Sequence, residues 1–599
     1  MNLARLTELC RYNKTPGSPA ECWRRPAFLI TAALLVFSAY ANTFDSPFIF
    51  DDWLHIEGNP HIRLDSLSFK ALQEAAFASP LHTRPLANLS FALNYLADGY
   101  KVAGYHLVNI LIHLSCGLLV FLLMTATLET RAMQHRCREL RMLPWAAALL
   151  WLAHPLQTQS VTYIIQRMNS LSALFSLLAL LGFIKARLSR TRRERCVLAA
   201  AAVLAWLLAC ASKEIAVSLP FFALLYDWFF IEDLRSDWLK RHWQAGLAAI
   251  VLMLTAALIL LGGTPWQIVS STYTIRDFSL GERLLTQPRV TWFYLSLLIF
   301  PHPSRLNLDH DFAISHGLFD PATTFPAMVG LLALLLLAGF GARRCRLASF
   351  AVFWFLGNLA IESSVLGLEM VFEHRTYLPS VFPVAAMVLI AFTMLKNSYC
   401  RAILFMALLF TLAFWTHARN EVWKDEVLLR QDCLAKSPAK PRNHAILANA
   451  LERRGQFAEA AGHYRAALQL KPDNADEILY NLGNVLLNLA DNTGAAENFT
   501  RALNITPDAA VIRLNLGVAL ERQGNLPAAL EQYKELLRRN PNFVRGHNNL
   551  GVILMRLGRL EEAAVHFREA LRLKPDYAVA QGNLLKVMPL IGKPREKRD

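Results

Sequence analysis

The residues best suited to chemistry lie in short polar stretches between long apolar ones. The first stretch reads Phe44-Asp-Ser-Pro-Phe-Ile-Phe-Asp51-Asp52-Trp-Leu-His-Ile-Glu-Gly-Asn59. Burial beside aromatics raises a carboxyl toward the range of a general base, a role open to Asp51 or Asp52. Taken alone, the pair serves more readily as the N-cap of a surface helix. Arg84 precedes Pro85, and His106, Asn109 and His113 follow at i, i+3 and i+7, along one helix stripe. Polar side chains there either line a site or bond between helices. A third stretch runs from His154 through Gln159 and Tyr163 to Arg167; a fourth is Ser212-Lys213-Glu214. The fifth gathers Glu362, Glu369, Glu373, His374, Arg375 and Tyr377. Arg167, Lys213 and Arg375 suit a phosphate group, arginine as a fork and lysine as a point charge, with a protonated His374 as the fourth donor. Each also reads as half of an ion pair, Lys213 with Glu214 for instance. No strong metal-ligand spacing is present, although a carboxylate pair is able to hold a divalent cation.

These stretches must be positioned by elements that cross a membrane. Of the 599 residues, 54% are hydrophobic and 18% charged, against about 25% charged in ordinary globular domains. The deficit lies before residue 418. Windows of about 20 apolar residues, enough to span, fall near 26–43, 105–127, 144–162, 168–187, 196–212, 214–232, 244–263, 321–340, 347–362, 376–395 and 401–417. A shorter run, 290–303, reads as re-entrant or interfacial. The flanks of 27–40 suit a retained signal anchor.

The net charge of +15 is carried by basic connectors between spans, the usual pattern of cytoplasmic loops. No nucleic-acid reading module accompanies it, so no nucleic-acid partner is expected. With a cytoplasmic tail over 1–26, alternation puts the polar stretches on the outer side, within a membrane domain over 27–418 whose first outer loop is 44–104. A linker over 419–443 follows, and then an outer domain over 444–599. Cys10, Cys22, Cys137, Cys196, Cys345 and Cys400 fall on the cytoplasmic side. Only Cys433 faces outward, so no disulfide framework is expected there.

The outer domain is periodic. Gly483, Gly517 and Gly551 recur every 34 residues in Asn-Leu-Gly, and Pro438, Pro472, Pro507, Pro541 and Pro575 recur at 34 or 35. Tyr464, Phe499, Tyr533 and Phe567 keep the register. The small residue lets two helices approach, the aromatic fills the gap, and proline ends the second helix. This is tetratricopeptide spacing: four repeats over about 444–575, with 577–591 as a capping helix. Such arrays form a concave surface suited to extended peptides. The fold class is therefore all-α, a polytopic helix bundle followed by an α-solenoid.

Taken in order, the polar stretches, with Arg84-Pro-Leu-Ala-Asn-Leu-Ser and Glu373-His-Arg-Thr-Tyr377 ahead of the repeats, resemble the transmembrane and tetratricopeptide-repeat O-mannosyltransferase-like family. The resemblance covers about 40–590. Gln166-Arg167-Met is closer to bacterial relatives, which implies an inner membrane with periplasmic repeats; an endoplasmic reticulum with luminal repeats is the eukaryotic counterpart. Membership implies a membrane glycosyltransferase of the GT-C type, with a polyprenyl-phosphate-linked sugar donor, mannose in the family's name, and Ser/Thr hydroxyls of protein acceptors. It implies an acidic first-loop motif at the catalytic centre, here Asp51 and Asp52. Gln159 stands where many relatives have Glu, so no carboxylate role carries over. Two other classes remain at this stage. A non-enzymatic scaffold organising an envelope or pilus assembly leaves Asp51, Asp52, Lys213 and Arg375 on one face unexplained. A transporter would need broken helices at mid-bilayer.

Overall fold

The computed structural model describes residues 24–134, 140–261, 265–274 and 276–591. The expected tail over 1–26, with Cys10 and Cys22, lies almost wholly outside these, as does Cys137. The chain divides between Leu429 and Arg430 into two compact units, a point inside the stretch expected as a linker. That stretch is helical over Glu426–Lys436, and Cys433 within it is buried.

The N-terminal unit is helical. Its first helix, α1 (Arg24–Tyr40), leads into the first loop. The loop is not bare coil: it folds α2 (Phe69–Phe77), capped by the Ser68 hydroxyl, and α3 (Pro85–Asp98), started by a proline that has no N–H to leave unpaired. Then come α4 (Val102–Leu128), α5 (Leu143–Leu152), α6 (Arg167–Leu188), α7 (Arg192–Cys210), α8 (Leu219–Tyr226) and α9 (Trp238–Leu261). The unit closes with α10 (Leu280–Ile299), α11 (Thr324–Gly341), α12 (Arg346–Ala360), α13 (Val381–Met394) and α14 (Ser398–Glu421). Among the described residues, six helical stretches are long and apolar enough to cross a membrane.

Three expectations change. The window 144–162 stops being regular helix at Leu152, because Pro155 cannot continue it, and the remainder folds into short turns. The window 376–395 begins as helix only at Val381, which leaves 376–380 in the preceding turn. The run 290–303 is not a separate segment: 290–299 is the second half of α10, and 300–303 lies beyond its end. A capping box between Ser279 and Glu282 starts that helix well upstream of the apolar run, and Arg283, Thr286 and Gln287 are buried on it.

The core of this unit lies among α4, α5, α6, α12 and α13. Aromatics dominate one side, where Trp354, Phe350 and Phe382 meet with ring centroids 4.7–6.1 Å apart. Burial of such rings supplies area in bulk.

In the C-terminal unit, helices pair as the period requires: α15 (Pro441–Arg453) with α16 (Phe457–Gln469), α17 (Ala475–Asn488) with α18 (Asn492–Ile505), α19 (Ala510–Arg522) with α20 (Leu526–Arg539), and α21 (Val544–Arg556) with α22 (Leu560–Leu573). The terminal helix α23 (Ala578–Val587) covers the end of the stack. The glycine requirement is steric. A Cβ at Gly483 would stand 2.5 Å from the Phe499 ring, one at Gly551 would stand 2.6 Å from Phe567, and one at Gly517 would meet Tyr533. Gly517→Leu is therefore expected to destabilise the repeats by about 1–3 kcal/mol through overpacking. Thermal unfolding followed by circular dichroism measures this, and an unchanged transition would mean that the paired helices separate freely.

Candidate active site

The site is built around the irregular segment 154–169, which ties the first loop to the 361–377 loop. On one side stands Asp52, fully buried, whose two carboxylate oxygens accept the N–H groups of Ile49 (3.0 Å) and Ile165 (2.7 Å). Burial holds this carboxyl well above the usual range, against the pull of those two bonds. Asp51 precedes it, half-buried, and its N–H donates to the Tyr163 hydroxyl at 3.0 Å. Phe50, just before, sits at φ +50°, a conformation that costs a β-carbon residue energy and collects at functional positions. The pair therefore does not cap a surface helix. Each Asp52 oxygen is engaged by one backbone N–H, which ties the first loop to the 154–169 segment.

On the other side, Gln159 donates to the Asn307 carbonyl (2.9 Å) and accepts from the His374 N–H (3.2 Å), with His374 Nδ1 at 3.3 Å from the same oxygen. An amide meets both demands; a carboxylate has no proton for Asn307. Asn169 donates to the His374 carbonyl at 2.7 Å and accepts from Lys213 Nζ at 3.2 Å. Burial, with Lys213 and Arg375 nearby, drives His374 well below its ordinary value. Its imidazole is thus neutral, and Nδ1–H directed at Gln159 leaves Nε2 an acceptor.

Lys213 and Glu214 do not pair with each other. Lys213 is in extended backbone (φ −159°, ψ 138°), which sends successive side chains to opposite faces. Lys213 reaches Glu362 at 2.8 Å, both side chains at most 7% exposed, while Glu214 takes Arg84 at 3.0 Å and the Thr83 hydroxyl at 2.5 Å. Arg375 lies next to this pair. Its guanidinium donates to the Met370 carbonyl at 3.2 Å, lies by the Tyr294 hydroxyl and stacks over Phe372, and its buried Nε has no hydrogen-bond partner among the described residues. Arg283, which sequence reasoning missed, gathers the carbonyls of Glu362, Ser364 and Leu368 and so shapes the loop that carries Arg375. Among the described residues, five cations are linked here (Arg84, Lys213, Arg276, Arg283 and Arg375), and the carboxylates that meet them are Glu214, Glu362 and Glu369. The cluster carries a surplus of positive charge.

The other candidates serve as joints. Arg167 is fully buried and committed: Nε to Asn109, and the terminal nitrogens to Ser90, Asn94 and the Tyr105 carbonyl, with Phe91 beneath. His106 contacts the Ser46 carbonyl at 2.9 Å, and His154 contacts that of Leu298 at 3.0 Å. Tyr377 meets His113 at 2.8 Å. Glu373 turns away from the cations, accepting the Asn307 N–H at 2.5 Å and facing His310 at 3.0 Å. Asn307 and Asn169 carried no sequence signal, because short polar residues in connectors are common everywhere.

Comparison with known proteins matches this chain to curated relatives. Protein O-mannosyl-transferase Tmtc3 of Drosophila melanogaster is 24% identical over 552 residues, 78% of this chain and 58% of the relative. Protein O-mannosyl-transferase Tmtc1 of the same organism is 33% identical over 171 residues, 27% of this chain and 19% of the relative. The chain is a distant homologue of these protein O-mannosyl-transferases. It spans less than two thirds of their length. A family model described as "Tetratricopeptide repeat" matches residues 480–542 and 514–578, and one described as "TPR repeat" matches 448–489. Among solved structures, a TPR protein with an unusual peptide-binding site, YrrB, is 22% identical, with TM-score 0.25, covering 33% of this chain and 96% of its own. The homologue described here is thus an all-helical protein with several apolar helices followed by tetratricopeptide repeats.

Proposed function

We propose that this protein is a membrane glycosyltransferase of the GT-C type that moves a sugar, mannose by analogy with its relatives' names, from a polyprenyl phosphate to Ser or Thr hydroxyls of proteins on the outer side of the membrane. The observation that carries the reading is the surplus of buried positive charge around Arg375, whose Nε lacks a hydrogen-bond partner among the described residues, beside the joined Asp51–Asp52 loop. Buried cations in excess of their counter-charges are costly unless an anion completes them, and a lipid-linked phosphate is an anion that reaches such a place from within the bilayer. Asp51 accepts the proton of the acceptor hydroxyl while that oxygen attacks the anomeric carbon. The bond from sugar to phosphate breaks, and Arg375 with Lys213 takes up the charge that develops on the departing phosphate. Because both Asp52 oxygens are held by backbone N–H groups, Asp52 positions its neighbour and does not act as a nucleophile. A single displacement with inversion follows. A cytoplasmic N-terminal tail with the repeats on the outer side is the orientation consistent with the basic connectors, and Gln166-Arg167-Met favours a bacterial inner membrane over an endoplasmic reticulum.

The test is transfer of a labelled sugar from polyprenyl phosphate to Ser/Thr peptides by purified protein in lipid. Arg375→Ala should lower transfer by roughly 10²-fold while Arg167 and its joint stay in place. Wild-type rates in that variant would remove the phosphate from this site.

A further inference from the structure

The unit over Arg430–Asp599 holds four histidines, His444, His463, His547 and His566. They form two pairs. In the first repeat His444 Nδ1 stands 3.3 Å from His463 Nδ1, and in the fourth His547 Nδ1 stands 3.0 Å from His566 Nδ1. The ring centroids are 5.6 Å and 5.3 Å apart, so the nitrogens meet head to head. Each pair joins the first helix of its repeat to the second, α15 to α16 and α21 to α22. At the same register the inner repeats place Leu479 with Asn498, and Arg513 with Gln532. A glutamate stands one turn before the second histidine in both outer repeats, Glu459 and Glu562, where the inner ones have Gly494 and Ala528. Helix pairing does not demand this set, since the inner repeats close without it.

The proton count is fixed in the fourth repeat. The Pro541 carbonyl is only an acceptor, so His547 Nε2, 2.8 Å away, carries a proton and donates it. A neutral ring then has a bare Nδ1, to which His566 Nδ1–H donates. A second proton between the rings would set donor against donor and charge against charge at 3.0 Å. Burial and His547 hold the His566 ring below its ordinary value of 6.5, and burial and His444 do the same to His463. Glu562 and Glu569 pull the other way on His566, as Glu459 does on His463. Arg559 and Arg572 pair with the two α22 glutamates, and Lys534 of α20 faces Glu562. Among the described residues, α17 and α23 bring no charged group to bear on either ring. Unfolded imidazoles take up protons near pH 6.5 while the folded pairs resist a second one. Stability is therefore kept above that pH and lost as pH falls below it. Each repeat leans only on its neighbours, so the loss stays where a pair is.

We propose that the two histidine pairs are proton-operated latches, by which mild acid loosens the first and fourth repeats and leaves the inner two closed. The inference concerns the repeats and stands whether or not the other unit transfers a sugar.

Hydrogen–deuterium exchange of the full-length protein in lipid nanodiscs, with a metal chelator present, tests this at about pH 7.5 and about pH 5.5, either side of the free imidazole value. After correction for the intrinsic rate, protection over 441–469 and 544–573 should fall about tenfold more than over 475–539. His547→Arg with His566→Gln, the pair that the third repeat already holds, should abolish the loss over 544–573 and leave that over 441–469. His444→Leu with His463→Asn, the pair of the second repeat, should do the reverse. Glu562→Gln should move the loss over 544–573 to lower pH, which a pair that merely packs would not show. Equal loss in all four repeats, an acid loss that survives both paired replacements, or a wild-type pH profile in Glu562→Gln would each overturn the latches. Protection gained in the outer repeats from micromolar zinc, once the chelator is omitted, would make the pairs metal ligands and overturn them as well.

Discussion

Asp51→Asn should lower sugar transfer by about 10²–10⁴ with the protein still folded and the donor still bound. The substitution keeps size and the backbone bond to Tyr163, and removes the charge and with it the ability to take a proton. Asp52→Asn is a different experiment. Both oxygens of that carboxyl accept N–H groups from separate segments, and an amide nitrogen at either position would set donor against donor. Its loss should therefore appear first as a looser junction between the first loop and residue 165, seen as faster amide exchange at Ile49 and Ile165, with transfer falling as a consequence. Equal stability loss in both variants, or full transfer in Asp51→Asn, would sink the division of labour between the two aspartates.

The second large effect is on stability. Glu362→Ala leaves Lys213 buried opposite Asn169 alone, with Arg375 close by. Breaking a buried pair from one side costs about 3–5 kcal/mol, whereas replacing both partners with apolar groups of similar volume is often neutral. Lys213→Met with Glu362→Leu should accordingly recover most of the thermal midpoint lost by Glu362→Ala. Transfer should not recover with it, because the phosphate would have lost one of its cations. If the double variant regains stability and transfer together, the pair is architectural and Lys213 has no part in donor binding.

Much of this was legible from the chain. The repeats declared themselves through Gly483, Gly517 and Gly551 because a steric demand, a helix face against an aromatic ring, leaves few residues that satisfy it. The polar stretches were legible because polar groups are conspicuous between apolar spans. What could not be read was partnership. The adjacency of Lys213 and Glu214 suggests a pair, yet an extended backbone parts them and sends each to a residue far along the chain. Arg167 has the chemistry of a phosphate ligand, but a full set of internal bonds engages it. Arg283 lies upstream of the apolar run at 290–303, on a part of α10 that apolar windows do not mark. The capping box three residues apart was visible in the sequence and would have found it.

The bond pattern of Gln159 has a consequence for how such chains diverge. Its amide satisfies a carbonyl at Asn307 and an N–H at His374 at once. A homologue with glutamate here would aim a carboxylate at the Asn307 carbonyl, two acceptors with no proton between them. Such a chain must either hold a proton on that carboxyl or rotate the turn at Asn307 so that a donor faces inward. Substitution at 159 is thus tied to one of two changes, a proton kept on the new carboxyl or a remodelled 305–311 turn, and Gln159→Glu made with neither should leave two buried acceptors facing each other.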